Sequence, residues 1–422
     1  MSWYKNLSFT QKMLFSMLTG AILGIILNNI DIYHSIINQY LSNGLFDVIG
    51  KLFVNSLKML VVPLVFCSIT IGITSLGDLA LMGRIGIKAI FIYLITTAIA
   101  ISLALLLSII INPGQGFEIK ESVTFAAKEA PSLSSVISAI IPSNPILAMA
   151  EGEMLQIILF AIILGIAIII TGKNAEAFKK GLQSLNDIMM SMVTIIMKFA
   201  PLGVFFLIAK TFSTQGLSMI VPLASYFITV AFALLLHVLV TYTVFLKFVG
   251  KVSPMLFLKK MRTAVVFAFS TASSNATIPV TLNTVVKRLG VDKAIASFTV
   301  PLGATINMDG TAIMQGVATV FIATVYAVDL SIGDYLAVIL TATLASIGTA
   351  GVPGVGLIML TMVLTQVGLP VEGVALIIGI DRLLDMMRTA VNITGDSMVS
   401  VIVSKSENSF DDSVFKDPKA GI

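Results

Sequence analysis

Between Asp381 and Asp396 the chain sets three aspartates, an arginine and an asparagine into a stretch that otherwise reads as membrane helix. Asp381, Asp385, Arg388, Asn392 and Asp396 follow one another at steps of four, three, four and four, which puts all five on one stripe of an α-helix. Each ionised group at bilayer depth costs about 2.5–3.5 kcal/mol even on the lenient insertion scale. A helix carrying four of them has to turn that stripe toward protein, water or a bound ligand. The stripe is the wall of a site.

Composition sets the surroundings. Hydrophobic residues make up 57% of the chain and charged residues 11%, against about 25% charged in soluble domains. So much apolar surface requires a bilayer, and the chain reads as an all-α polytopic membrane protein. The net charge of +4 is small and the lysines sit mostly between apolar segments, as topology signals and not as a nucleic-acid surface. The single cysteine, Cys67, excludes an internal disulfide and a cysteine-rich metal site. His34 and His237 stand apart and read as isolated, against a histidine metal cluster. No Walker, zinc or nucleophile-elbow pattern appears, so the chain does not read as an enzyme. Lys5 and Lys12 precede an apolar run from Met13 to Leu27 without a small-residue cleavage pattern, which reads as a retained first span with a cytoplasmic N-terminus.

Apolar segments recur at 13–29, 45–75, 88–112, 155–172, 184–212 and 217–246. The intervening stretches 76–88, 173–180 and 247–262 carry the lysines and arginines and are expected in the cytoplasm. The stretch 30–44 has no Lys or Arg, and 113–154 is more acidic than basic; both are expected outside. Beyond Lys259 the pattern changes. Segments 270–279 and 346–354 are too polar and too rich in helix breakers to continue a helix through lipid. Irregular backbone at that depth has to be buried in protein or line a cavity, so each reads as the tip of a re-entrant helical hairpin. Lys259, Lys260, Lys287 and Arg288 flank the first, while Asp329 and Asp334 precede the second. The two hairpins then enter from opposite sides, as inverted repeats do.

Asn307-Met-Asp-Gly-Thr311 interrupts the span between the hairpins, with Asp309 as its acid and Gly310 expected to let the helix unwind. Unwound carbonyls, one carboxylate and hydroxyls suit a small hard cation such as Na⁺; the plainer alternative is a polar kink. For the stripe, the alternative is a structural ion pair of Asp385 with Arg388. Three aspartates against one arginine leave an excess of negative charge, which favours cation binding. Arg388 suits a substrate carboxylate held bidentately and Asp385 a substrate ammonium. Arg382 is left outside this site, pointing outward or pairing with Asp381. Tyr93, Thr96 and Thr97 form a hydroxyl cluster in the third span, although threonine in a helix usually bonds back to its own carbonyls. Lys58 and Lys198 read as snorkelling side chains.

The ordered motifs Ser273-Ser274 with Thr277-Ile-Pro279, Pro301 to Thr311, Ser346-Ile-Gly-Thr-Ala-Gly-Val-Pro-Gly354 and Asp385 to Asp396 resemble those of the dicarboxylate/amino acid:cation symporters, which include the glutamate and aspartate transporters. The resemblance covers essentially the whole chain. It implies eight transmembrane helices plus the two hairpins in a homotrimer. A scaffold of roughly 1–75 and 130–225 would hold a transport domain of roughly 85–112 and 226–405, with a cytoplasmic tail at 406–422. The transport domain would move as an elevator gated by the second hairpin. By motif position, Arg388 would hold the side-chain carboxylate of an acidic amino acid and Asp385 its amino group. Ser274, Thr311, Val352, Thr389 and Asn392 would complete the pocket. One Na⁺ site would use Gly303, Asn307, Asn392 and Asp396. A second would use the carbonyls of Thr305, Ser346, Ile347 and Thr349, and a third Tyr93, Thr96, Thr97, Asn307 and Asp309.

Two departures qualify the match. Members that carry acidic amino acids usually place a second arginine where this chain has Ala272 or Met386. Where proton-coupled eukaryotic relatives have a glutamate, this chain has Gln315, which cannot release a proton near neutral pH. The expected function is Na⁺-driven symport of L-aspartate or L-glutamate. Cystine or C4-dicarboxylate symport, with proton coupling, is the alternative within the same fold, and an anion channel is the alternative outside it. Short loops place the chain in a prokaryotic inner membrane.

Overall fold

The computed structural model describes residues 7, 9–29, 37–74, 83–116, 141–347, 351, 353–418 and 420–421, and these are almost entirely helical. Helix α1 spans Phe9–Asn28, and a π-helical turn at Ile37–Phe46 leads into α2, Asp47–Thr74. Next come α3 (Gly83–Ile111), a short α4 (Pro145–Glu151), α5 (Met154–Thr171) and a 40-residue α6 (Glu176–Gln215). Helix α7 (Ile220–Leu236) continues through π-helical turns to Val249. The remainder comprises α8 (Pro254–Thr271), α9 (Ser274–Lys287), α10 (Lys293–Ile306), α11 (Asp309–Val325), α12 (Ile332–Ser346), α13 (Val355–Gln366), α14 (Val374–Ser406) and α15 (Asp412–Lys416).

The helix starts follow capping chemistry. Asn144 Oδ1 accepts from the amides of Ile146 and Leu147 with Pro145 at the first helical position, and Asp292 Oδ1 accepts from Ala294 and Ile295. Ser331 and Asp334 form a reciprocal capping box at the start of α12.

Six stretches among the described residues are long and apolar enough to cross a membrane: Gln11–Asn28, Gly44–Thr74, Arg84–Ile111, Gln156–Ile196, Gly216–Val249 and Lys293–Val325. Helix α14 has the length, about 50 Å for its 33 residues, but its charges keep it from reading as a simple span. Helices α1, α2, α5 and α6 pack on one another. Helices α3, α7 to α11 and α13 gather around α14, which also touches α1, α2 and α6, while α12 packs on α3, α11 and α13. Gly20 and Gly24 let α1 lie directly on α6: a Cβ at either would sit 2.6 Å from a carbonyl oxygen, of Phe205 or Ala209. Every residue from Asp309 to Ala323 on α11 and from Val391 to Ser404 on α14 is buried. A helix buried all round needs no polar face, so the polar groups these two carry are satisfied inside the protein, Asp309 by Thr97 and Tyr242 and Asp396 by Asn307.

Helix–break–helix pairs occur at both expected positions, with adjustments. The first is α8 and α9, and its break is confined to Ala272, in the left-handed region at φ 50°, and Ser273, which caps α9 by accepting from Ala276 N at 3.2 Å. Polar residues 274–279 are helical, with the first-turn amides of Ala276 and Asn275 taken up by Ser273 Oγ and Gly351 O. The second is α12 and α13, broken between Ile347 and Gly354, with residues 348–350 and 352 outside the described residues. The expected loop at 173–180 is instead a short 3₁₀ turn, Gly172–Ala175, running straight into α6.

Candidate functional site

All five members of the α14 stripe are buried, from Asp385 at 9% exposed to Arg388 and Asp396 at 1%. Arg388 Nη2 donates to Asp385 Oδ1 at 2.8 Å and to Asp381 Oδ2 at 3.2 Å, and Nη1 lies 2.9 Å from Asp381 Oδ1. Arg388 Nε is buried without a hydrogen-bond partner. Asp385 Oδ2 accepts from the amide of Gly354 at 3.3 Å and stands 3.6 Å from Arg382 Nη1. Arg382 therefore belongs to the network: it is not the outward side chain that the sequence reading allowed, but stands beside Asp385 and also acts electrostatically on Asp381. The i,i+3 spacing that links Arg388 to Asp385 links Arg382 to Asp385 as well.

Ala272, Ser274, Met308, Thr311, Gly351, Gly356, Asp385, Arg388, Thr389 and Asn392 enclose one cavity between the hairpin tips and α14. At about 20 Å³ it has room for about one water. The tips touch above it: Ser273 Oγ donates to Gly351 O at 2.7 Å, and Asn275 N donates to the same carbonyl at 3.1 Å. Besides Asp385 and Arg388, five residues are expected to hold substrate, and four of them are at this cavity. Ser274, Thr311, Thr389 and Asn392 line the cavity, while Val352 lies outside the described residues. Thr389 Oγ1 bonds back to Asp385 O at 2.9 Å.

A second polar centre lies where α10 gives way to α11. Asn307 and Met308 are the unwound residues, and Gly310 is helical. The expectation that Gly310 supplies the unwinding is thus corrected. Its role is close approach: a Cβ there would meet Arg388 O at 2.7 Å, and its amide donates to Asn392 Oδ1 at 2.8 Å. Asn307 Nδ2 donates to Asp396 Oδ1 at 2.8 Å and to Asn392 O at 3.0 Å, which leaves Asn307 Oδ1 buried with no donor. Gly303 faces Asp396 and Tyr93 so closely that a Cβ would sit 2.5 Å from Asp396 Oδ1 and 2.8 Å from the Tyr93 hydroxyl oxygen.

Asp309 is fully buried. Its Oδ1 accepts from Thr97 Oγ1 at 2.6 Å and from Thr96 Oγ1 at 3.4 Å; Oδ2 accepts from the Tyr242 hydroxyl at 2.8 Å and lies 3.1 Å from His237 Nε2. The hydroxyl cluster on α3 thus reaches across to α11, and only Thr96 keeps a bond to its own helix, to Tyr93 O. Tyr93 donates to Thr299 O at 3.0 Å. Of the remaining expected cation ligands, Thr305, Ser346 and Ile347 sit at the ends of α10 and α12, and Thr349 lies outside the described residues. Carbonyl, carboxylate and hydroxyl oxygens without sulfur are a donor set for a hard cation.

The model of the sodium:dicarboxylate symporter family matches residues 9–406. The chain belongs to that family. It is an integral membrane transporter and not an enzyme. It is 35% identical to the proton/glutamate-aspartate symporter of Escherichia coli K12, covering 96% of this chain and 95% of that one. It is also 35% identical to the proton/sodium-glutamate symport protein of Bacillus caldotenax, with 93% and 94% covered. The C4-dicarboxylate transport protein of Bacillus subtilis is 32% identical, with 86% and 88% covered. Within this family member, sequence reasoning missed His237, Tyr242 and Met308. His237 is not isolated but fully buried against Asp309. A lone histidine and tyrosine five residues apart on an apolar helix gave no periodic signal. Met308, inside the quoted motif, places its sulfur 3.3 Å from Asn392 Nδ2.

Proposed function

We propose that the protein is a secondary active symporter coupling Na⁺ influx to uptake of an acidic amino acid, L-aspartate or L-glutamate. The observation that carries this is the buried Arg388 held between Asp381 and Asp385 at the hairpin tips. A substrate carboxylate takes over guanidinium donors, and the ammonium of an amino acid answers the carboxylate so released. Succinate has no ammonium to answer Asp385, and a neutral amino acid has no side-chain carboxylate to take up the guanidinium donors of Arg388. The names of the similar glutamate and aspartate symporters support the same substrate class. Asn307 Oδ1, Asp309 and Asp396 supply buried oxygen ligands for the co-transported cation, and Gln315 speaks for Na⁺ over H⁺ at its position.

In this reading α14 with α3 and α7 to α13 forms the moving domain, α1, α2, α5 and α6 the scaffold, and the second hairpin the gate of an elevator. Three copies assemble in the inner membrane with both termini in the cytoplasm. Eight spanning helices and two inverted hairpins complete the architecture.

Equilibrium binding to the detergent-purified protein tests the assignment. L-aspartate or L-glutamate should bind in Na⁺ and lose at least tenfold affinity when choline replaces it, with succinate and cystine weak in both. Succinate binding as well as aspartate would favour the C4-dicarboxylate reading, and cystine binding best would favour the cystine reading.

A further inference from the structure

Away from the α14 site, a cavity of about 240 Å³ opens between the water-facing ends of α8 and α9 and the C-terminal tail, lined by Lys259, Lys260, Arg262, Arg288 and Pro418 among others. That volume compares with about 10–15 Å³ for a single water. Lys260 is 1% exposed, and its ammonium donates to the carbonyls of Arg288 at 2.6 Å and Val414 at 2.7 Å. Those carbonyls satisfy hydrogen bonds but do not neutralise the charge. Arg288 Nη1 donates to Thr263 Oγ1 at 3.2 Å, while its Nε is buried without a partner. Asp417, on the tail, acts electrostatically on Lys260. Four cations against that one carboxylate leave an excess of three positive charges around the cavity.

The outer wall has a second property. Met255, Lys259, Arg262 and Val266 fall at i, i+4, i+7 and i+11, one exposed stripe of α8. Met255 is 76% exposed, Val266 65% and nearby Phe269 41%. A cationic cavity therefore opens beside a helix face on which Lys259 and Arg262 lie between exposed Met255 and Val266. This is the layout that holds a phosphate at the interface with hydrocarbon beside it.

We propose that this cavity binds a phosphate-bearing anion. Lys259, Arg262 and Arg288 contact the phosphate oxygens, and the α8 stripe accommodates an acyl chain when the phosphate belongs to a phospholipid. The site is separate from the transport pocket, and its test uses no transport readout.

Native mass spectrometry of the purified full-length protein in detergent can measure binding of dioctanoyl phosphatidylglycerol, dioctanoyl phosphatidylcholine and inorganic phosphate. The exposed pair Lys259→Gln/Arg262→Gln should weaken phosphatidylglycerol binding about twenty-five-fold, at about fivefold per cation removed. A control pair of exposed lysines, Lys173→Gln/Lys180→Gln, should leave it unchanged. Thermal unfolding of each variant checks that the fold persists, and Arg288→Gln provides a second probe from the other wall. Phosphatidylglycerol bound far above phosphate supports the site with a lipid as its source; phosphate bound equally well, and lost in the same variants, supports it with a soluble source. No binding of either, or equal losses in the control pair, overturns the proposal.

Discussion

Arg388 and Asp381 lie seven residues apart on α14, yet the guanidinium spans the two turns and meets both carboxylate oxygens, at 2.9 and 3.2 Å. With Asp385 at 2.8 Å, one buried cation sits between two buried anions. Arg382, 3.6 Å from Asp385, brings the cluster to two cations and two anions, so an ammonium answers a carboxylate only once a substrate carboxylate has taken over guanidinium donors.

Removing the cation exposes the cost of this arrangement. Arg388→Ala takes the guanidinium away from Asp381 and leaves Asp385 with Arg382 alone; breaking a buried pair destabilises by about 3–5 kcal/mol, so both a lower melting temperature and abolished acidic amino acid uptake are expected. Arg388→Lys keeps the charge but not the planar fork. Its uptake should fall about a hundredfold, the worth of one or two charge-assisted hydrogen bonds, with melting temperature largely retained. Wild-type uptake in Arg388→Lys would remove the guanidinium from substrate recognition.

Gly303 is the narrowest point of the cation centre. In Gly303→Ala the new Cβ would overlap Asp396 Oδ1 at 2.5 Å, and relief of such overpacking costs about 1–3 kcal/mol. The Na⁺ concentration for half-maximal uptake should rise about tenfold while the order of preference among substrates stays the same. Titrating uptake against Na⁺ at fixed substrate reads this directly, and an unchanged Na⁺ curve would mean that Asp396 is not a cation ligand.

Asp309→Asn keeps the shape and removes the charge that Thr97, Thr96, Tyr242 and His237 surround. Uptake should lose its steep Na⁺ dependence. A variant with the wild-type Na⁺ response would leave Asp309 as a structural acceptor only.

The far end of α14 carries a latch outside the membrane. Glu407 accepts from Arg84 and from Lys88, the latter at 2.6 Å, tying α14 to the start of α3. These two bonds hold the Glu407 carboxyl below its ordinary range. A depressed carboxylate contributes stability that is present above its unfolded pKa, about 4.3, and lost as pH falls through the lower folded value. Melting temperature of the wild type should therefore drop more steeply than that of Glu407→Gln below about pH 4.5. Parallel curves for the two proteins would deny the latch a role.

Much of this was legible in the residue order, for physical reasons that differ by element. The α14 stripe could be read because charge in an apolar helix is expensive and its spacing is helical, and all five residues are indeed buried together. The hairpin breaks could be placed because polar, breaker-rich runs are unfavourable in lipid, but not their extent: Ser274 to Pro279 is helical and only Ala272 and Ser273 break the first. The partners of Asp309 could not be read in full. Tyr242 and His237 come from α7's continuation, where nothing in an apolar sequence marks which hydroxyl or ring will face a distant carboxylate. Arg382 was left outside the site because spacing alone does not show that it turns toward Asp385. Gly310 was misassigned because a glycine beside a helix break serves close approach as readily as unwinding.

Uptake of labelled L-aspartate into proteoliposomes under an inward Na⁺ gradient, an inward H⁺ gradient, or neither, tests the central claim most directly. Accumulation driven by Na⁺, inhibited by unlabelled glutamate and not by succinate, is the predicted result. Accumulation driven by H⁺ alone, or inhibited by succinate as strongly as by glutamate, would contradict it.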